Sequence, residues 1–267
     1  FCAEGRGYCL EGHEHVKSKF LGRSIDFIPD SSNRLEFADK NEEYTWDNAT
    51  TRLSNLIFGD MFVELAGTIT IRKNNSKARC ELVFHPTTWL ENERYKVTGK
   101  IFGEDGKVAK SLSGHWNGSV VLKNASTKEV ETIWEKAPLP PDAERMYNFS
   151  RFSTTLNQIL SIQKDFLPCT DSRVRQDIRA LEAADMRGAA IKKRLILERN
   201  NNNAKRTSNP SGGRRSFPKT FQPLWFGERL NCNGQTEWTF LGEYWNERKS
   251  KFANWRLPKL FDVSLDA

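Results

Sequence analysis

Between Tyr8 and Trp134 the chain repeats one pattern: short runs of β-branched and aromatic residues alternate with polar ones, and turn residues close each run. Residues 62–71, flanked by Gly59-Asp60 and Asn74-Asn75, form one such run; 51–58, 79–85, 95–102 and 107–116 are others. Asp105-Gly106 and Asn117-Gly118 supply tight turns, because glycine tolerates the positive φ that hairpins require. A period of two residues sustained over this length is incompatible with a helical bundle. It predicts roughly ten strands in meander order, a large antiparallel sheet that must close or pack on a second layer.

The pattern changes after Pro138-Leu139-Pro140-Pro141, a stiff stretch that ends the β region. The expected division is an antiparallel barrel portion at residues 1–137 and a C-terminal helical and mixed portion at 138–267 of the same domain. In 153–165, Leu156, Ile159, Leu160 and Gln163 recur at helical spacing, which predicts a short helix stopping before Pro168. Asp171 or Ser172 is placed to cap a next segment with Val174, Ile178, Leu181 and Met186 on one side. Residues 189–199 predict a basic helix with Leu195 inward. Residues 199–222, with their Asn run and Ser208-Asn209-Pro210-Ser211-Gly212-Gly213, read as a flexible basic linker. Order resumes at Pro223-Leu224-Trp225-Phe226, and 236–244 predict a final strand.

With 41 Lys and Arg against 34 Asp and Glu, the 267-residue chain carries a net charge of +7 and attracts acidic partners: nucleic acid, an anionic membrane surface or lipid headgroups. The stretch from Lys205 to Arg215 contains no aromatic residue to stack on bases, which disfavours nucleic acid. No apolar run approaches the ~20 residues of a membrane-spanning helix. Enzyme signatures are absent: no nucleophile elbow, phosphate loop, zinc-protease helix or dinucleotide-binding turn, and hence no expected cofactor or catalytic residue. On a strand, His13 and His15 would share a face, but no third or fourth metal ligand is identifiable. Five scattered cysteines without a C-x-x-C pair argue against both a disulfide framework and a structural zinc site, and for a reducing compartment. The carboxylate pairs Glu42-Glu43 and Glu91/Glu93 lie in no recognisable acid–base setting.

A series of blocks resembles the oxysterol-binding protein family. Tyr44-Thr45-Trp46 followed by Asn55-Leu56-Ile57-Phe58-Gly59 and Gly67 is similar to its Y-T-W…N-I-I-x-G-x-x-W-I-x-x-x-G segment. Lys17-Ser18-Lys19-Phe20-Leu21-Gly22-Arg23-Ser24 resembles K-x-K-F-W-G-K-S, with Leu21 in place of Trp. Gly114-His115-Trp116-Asn117, Met146 to Phe152 with Leu156-Asn157, Leu167 to Arg179, Trp225-Phe226 and Gly242-Glu243-Tyr244-Trp245 follow in family order.

The resemblance implies a mainly β fold with C-terminal helices: a large incomplete antiparallel barrel enclosing a hydrophobic lipid tunnel, with helices packed outside. It also implies a non-enzymatic lipid carrier that moves a sterol or phospholipid between membranes, exchanged for phosphatidylinositol 4-phosphate. The implied setting is cytoplasmic, peripheral at membranes and at endoplasmic reticulum contact sites. Two departures matter. The family's E-Q-V-S-H-H-P-P sequence, whose paired histidines hold the phosphoinositide headgroup, is absent; in the family it lies just before a segment like Phe1-Cys2-Ala3-Glu4, so the chain is expected to start after it and to lack the lid and first strands. The family's K-x-x-x-E-x-x-x-R headgroup row is eroded. Counting without gaps from Asp177-Ile178-Arg179 places its Lys at Lys193, with Leu197 and Asn201 next; a one-residue shift pairs Arg194 with Glu198. Lys193, Arg194, Glu198 and the flanking Lys192 are therefore the expected headgroup residues. The alternative is an interaction or scaffold domain that has lost phosphoinositide exchange.

Overall fold

The structure is a computed structural model describing residues 1–88, 93–207, 223–230, 236–253, 255, 260 and 261, with backbone only for 202–207. The chain divides into two compact units: Phe1–Ala137 with Gly227–Phe240, and Pro138–Phe226 with Leu241–Ala267.

The first unit is an antiparallel sheet of eleven strands: β1 Cys2–Gly5, β2 Tyr8–Phe20, β3 Ser24–Phe37, β4 Glu42–Trp46, β5 Thr50–Ser54, β6 Phe62–Lys73, β7 Arg79–Phe84, β8 Lys96–Phe102, β9 Val108–His115, β10 Ser119–Asn124 and β11 Val130–Glu135. The order is a meander except that β4 and β5 both lie between β3 and β6. The described ladders leave β1 and β11 as edges, so the sheet is open. Along β6, residues 62–66 pair with β5 and residues 67–72 with β7. Gly67 sits where the pairing changes, with φ of +107°, a backbone state that side chains rarely adopt.

Register places side chains by kind. The row Ile69, Leu82, Gly99, Leu112, Leu122 and the row Gly67, Phe84, Val97, Gly114, Val120 run across β6 to β10 on one face. The opposite face carries Thr70, Glu81, Lys100, Ser111 and Lys123. This two-residue alternation separates an apolar side from a polar one, and a slip by one residue would exchange them. Gly99 is required on the apolar side: a Cβ there would stand 2.7 Å from Leu82 Cδ2 and 2.8 Å from the Glu81 carbonyl oxygen.

A two-stranded ribbon, β12 Phe226–Leu230 and β13 Thr236–Phe240, supplies the later residues of this unit. Ser32 Oγ donates to Glu237 at 3.1 Å, and Glu11 accepts from Thr239 Oγ1 and the Phe240 amide, both at 3.3 Å. The strand expected at 236–244 therefore stops at Phe240. Gly242, in the left-handed region at φ +81°, turns the chain into a helix at Glu243–Lys249.

The second unit holds the helices: α1 Arg151–Thr155, α2 Gln176–Glu182, α3 Met186–Thr207 and α4 Glu243–Lys249. The single helix expected at 153–165 is replaced by α1, capped by Ser150 accepting from the Ser153 amide, and a 3-10 segment at Ser161–Phe166. Its β-branched Thr154-Thr155 and the following Asn157 are poor helix formers, so propagation fails. Asp171 caps the turn at Ser172–Val174 through the Arg173 amide. In α2 the buried residues are Asp177 and Ala180, whereas Leu181, and Met186 at the start of α3, are exposed. In α3 the inward residues are Ala189 and Ile196, the latter 2% exposed, while Leu195 is half-buried. This helix runs to Thr207, through the first part of the stretch expected as linker, since extending an existing helix costs little per residue. Residues 208–222, the rest of that expected linker, lie outside the described residues, as do Glu91 and Cys232.

Around Trp225 the second unit builds an aromatic cluster with Tyr244, Phe252 and Trp255, at ring separations of 5.4, 6.2 and 4.7 Å. Edge-on and tilted ring pairs at these distances add to the burial of their area.

Candidate functional site

On the β2, β3 and β5 side of the sheet, Glu14, Val16, Phe27, Pro29, Ala49 and Thr51 line a groove of ≈280 Å³. Register explains why these residues share a face: Val16 lies opposite Pro29, and Phe27 opposite Thr51. Thr51 and Leu53 face Leu65 and Val63 of β6, which precede Gly67 and Ile69 in the same alternating set. Val16 is 46% and Phe27 36% exposed, so apolar area is left uncovered where a core would cover it. Uncovered contiguous apolar surface marks a binding site.

The polar face is held by ion pairs. Arg52 bonds Asp26 through Nε at 2.7 Å and Nη2 at 2.8 Å. Glu64, opposite Arg52 on β6 and 2% exposed, accepts from Ser54 Oγ at 3.2 Å and from the Thr87 amide at 2.7 Å. Arg34 joins Glu11 and Glu43.

The residues weighed as chemical candidates have structural partners. Glu42 accepts from Lys73 at 2.6 Å and from Tyr44 at 3.0 Å, and these bonds hold its carboxyl below the usual range. Glu93 bonds Lys96 and His115, both at 2.9 Å. His13 and His15 share a face of β2, but among the described residues no third ligand converges on them.

On α3, Lys193, Arg194 and Glu198 are exposed, while Lys192 is half-buried. At about 3.6 residues per turn Lys193 stands as far around the helix from Arg194 as from Lys192, so the four residues are not gathered on one surface. Arg194 and Glu198 form an i,i+4 pair at 3.7 Å, and the positions after Lys193 in its own row are Leu197 and Asn201.

Sequence reading missed one cluster. Cys2 and Cys9 flank the Arg6-Gly7 turn and come within 4.0 Å, with Glu4 beside them. The available signal was not a C-x-x-C pair but two cysteines at positions that a tight hairpin folds together.

A large open antiparallel sheet, apolar on one side with an uncovered groove, defines a mainly β protein with a surface suited to an apolar ligand. The sequence model of the family "Oxysterol-binding protein" matches residues 1–249, and the chain belongs to that family, whose members bind and transfer lipids and are not enzymes. Oxysterol-binding protein-related protein 1B of Arabidopsis thaliana is 30% identical over 250 residues, covering 92% of this chain and 48% of that protein. Oxysterol-binding protein 2 of Mus musculus is 30% identical over 278 residues, covering 96% and 30%. The chain thus spans about half or less of these relatives. The Osh1 ORD domain solved with cholesterol superposes with a TM-score of 0.78 at 26% identity, covering 98% of this chain and 63% of that one. The Osh3 ORD of Saccharomyces cerevisiae, solved with PI(4)P, gives 0.75 at 27%, covering 97% and 65%. No helix among the described residues is long and apolar enough to cross a membrane.

Proposed function

We propose that this chain is the lipid-contacting part of a carrier that takes a sterol or phospholipid from one membrane and delivers it to another in exchange for phosphatidylinositol 4-phosphate. The observation that carries this reading is the apolar sheet face with its groove at Val16, Phe27 and Pro29. Shielding a lipid from water is worth ~0.8 kcal/mol per buried CH₂, and that gain offsets withdrawal from the bilayer. Osh1 with cholesterol and Osh3 with PI(4)P supply the two ligand classes by similarity. Lys193, with Arg194, Glu198 and Lys192 nearby, is the proposed contact for the anionic headgroup, and the proposed place of action is the cytoplasmic surface of membranes at endoplasmic reticulum contact sites.

The test is extraction of labelled sterol and labelled phosphatidylinositol 4-phosphate from liposomes, by this chain and by one extended upstream through the family's histidine pair. Extraction by either chain that is abolished by Val16→Glu supports the reading; no extraction by either overturns it. A second reading, an interaction domain without phosphoinositide exchange, is favoured by Leu197 and Asn201, which stand where the headgroup row would carry Glu and Arg. Sterol uptake without phosphoinositide uptake in the extended chain would select it.

A further inference from the structure

β1 and β2 form a hairpin around Arg6-Gly7 in which Cys2 lies opposite Glu11 and Glu4 opposite Cys9. Alternation puts all four side chains on one face, thiols on one diagonal and carboxylates on the other. Glu11 is already engaged, by Arg34, Thr239 Oγ1 and the Phe240 amide. Three donors remain: Cys2 and Cys9 with their sulfurs 4.0 Å apart, and Glu4, whose Oε1 is 4.0 Å from the Cys2 sulfur; all three ligand atoms lie within 4.8 Å of one another.

We propose that Cys2, Glu4 and Cys9 form a binding site for a thiophilic divalent cation of the zinc class. Two Zn–S bonds of ~2.3 Å at the tetrahedral angle separate their sulfurs by about 3.8 Å, so the pair is already close to ligand spacing. A disulfide fits less well. It needs Cα atoms about 4.4–6.8 Å apart, whereas diagonal partners in an antiparallel pair stand about 7–8 Å apart. Two sulfurs select zinc-like metals over calcium or magnesium, and the carboxylate is a ligand zinc also accepts. A fourth position is left for water.

Burial first, then Cys9 and the carboxylates of Glu4 and Glu11, raise the Cys2 thiol, so a bound metal must displace a held proton. Each thiol gives its proton to solvent as its sulfur–metal bond forms, and no oxidant or reductant is needed. Bound metal would clamp β1, a four-residue edge strand, onto β2.

The test titrates reduced, metal-free chain with Zn²⁺ by calorimetry in two buffers of different ionisation heat, and with Co²⁺ by absorption. The expected result is one ion per chain, proton release, a thiolate-to-cobalt charge-transfer band, and at least ~tenfold weaker binding in Cys2→Ser, Cys9→Ser and Glu4→Gln. Glu4 is exposed, so Glu4→Gln keeps the test valid if a cysteine variant fails to fold. Protection of Cys2 and Cys9 from alkylation by added Zn²⁺ in the unaltered chain is the independent readout. Equal Zn²⁺ affinity in the Cys2→Ser/Cys9→Ser double variant, or no uptake by the unaltered chain, overturns the proposal.

Discussion

Asp26 on β3 and Arg52 on β5 stand directly opposite one another and are joined by two parallel bonds, Nε to Oδ1 at 2.7 Å and Nη2 to Oδ2 at 2.8 Å. Asp26 is 8% exposed, and Glu64, the residue opposite Arg52 on β6, is buried too. The guanidinium therefore ties β5 to β3 on the face opposite the groove, with the Glu64 carboxylate of β6 as a nearby charge.

Removing that guanidinium leaves a buried carboxylate without its partner. Arg52→Met is expected to cost about 3 kcal/mol, toward the low end for breaking a buried pair because Arg52 retains some exposure. Adding Asp26→Asn should recover part of the loss, since it removes the stranded charge. Urea unfolding of both variants measures this; a double variant no more stable than Arg52→Met would refute the account.

The same pair sets a pH dependence. The Arg52 bond, opposed by burial, holds the Asp26 carboxyl below its usual value. A carboxyl lowered on folding contributes its stability in full above the unfolded value of about 3.9, and loses it as pH falls through the folded value. The stability gap between the unaltered chain and Arg52→Met should accordingly be constant near neutrality and narrow as acid protonates Asp26, first in the variant, where burial without Arg52 raises it, then through its lowered value in the unaltered chain. A gap unchanged at pH 3 counts against Asp26 as the titrating group.

Gly99 tests the packing of the apolar face. Valine there drives a Cβ into Leu82, and the adjacent Glu81 carbonyl of the same strand, being backbone, cannot yield. Gly99→Val should destabilise by roughly 1–3 kcal/mol, the usual cost of overpacking. Shortening the neighbour in Gly99→Val/Leu82→Ala should restore part of this, as thermal melts would reveal.

The strands were legible because each carries its own signal. Period two and turn residues located those expected at 62–71, 79–85, 95–102 and 107–116 within a residue or two of their observed ends, because neighbouring strands demand that alternation. The C-terminal helices were less legible. Ile196 and Leu195 are adjacent apolar residues, and only tertiary packing decides which is inward. The groove was not legible as a place: Val16, Phe27 and Thr51 come from three strands whose register is set by pairing and not by spacing along the chain. The hairpin cysteines were hidden for the same reason.

Lys193 provides the sharpest test of the headgroup proposal, because charge and fold separate there. It is exposed on α3, and the adjacent Arg194–Glu198 pair, at 3.7 Å with side chains 71% and 60% exposed, contributes little to stability. Lys193→Ala should leave the melting temperature unchanged within error. If the ammonium meets lipid phosphate at a membrane surface, its removal forfeits about 1 kcal/mol, or about fivefold in binding to phosphatidylinositol 4-phosphate liposomes. That difference should shrink as salt shortens the Debye length to about 3 Å near 1 M, and should be absent with neutral liposomes. Arg194→Ala and Lys192→Ala separate a specific contact from diffuse attraction. A specific phosphate contact makes Lys193 the most sensitive of the three, whereas equal losses at all three would reduce the helix to a generally basic surface.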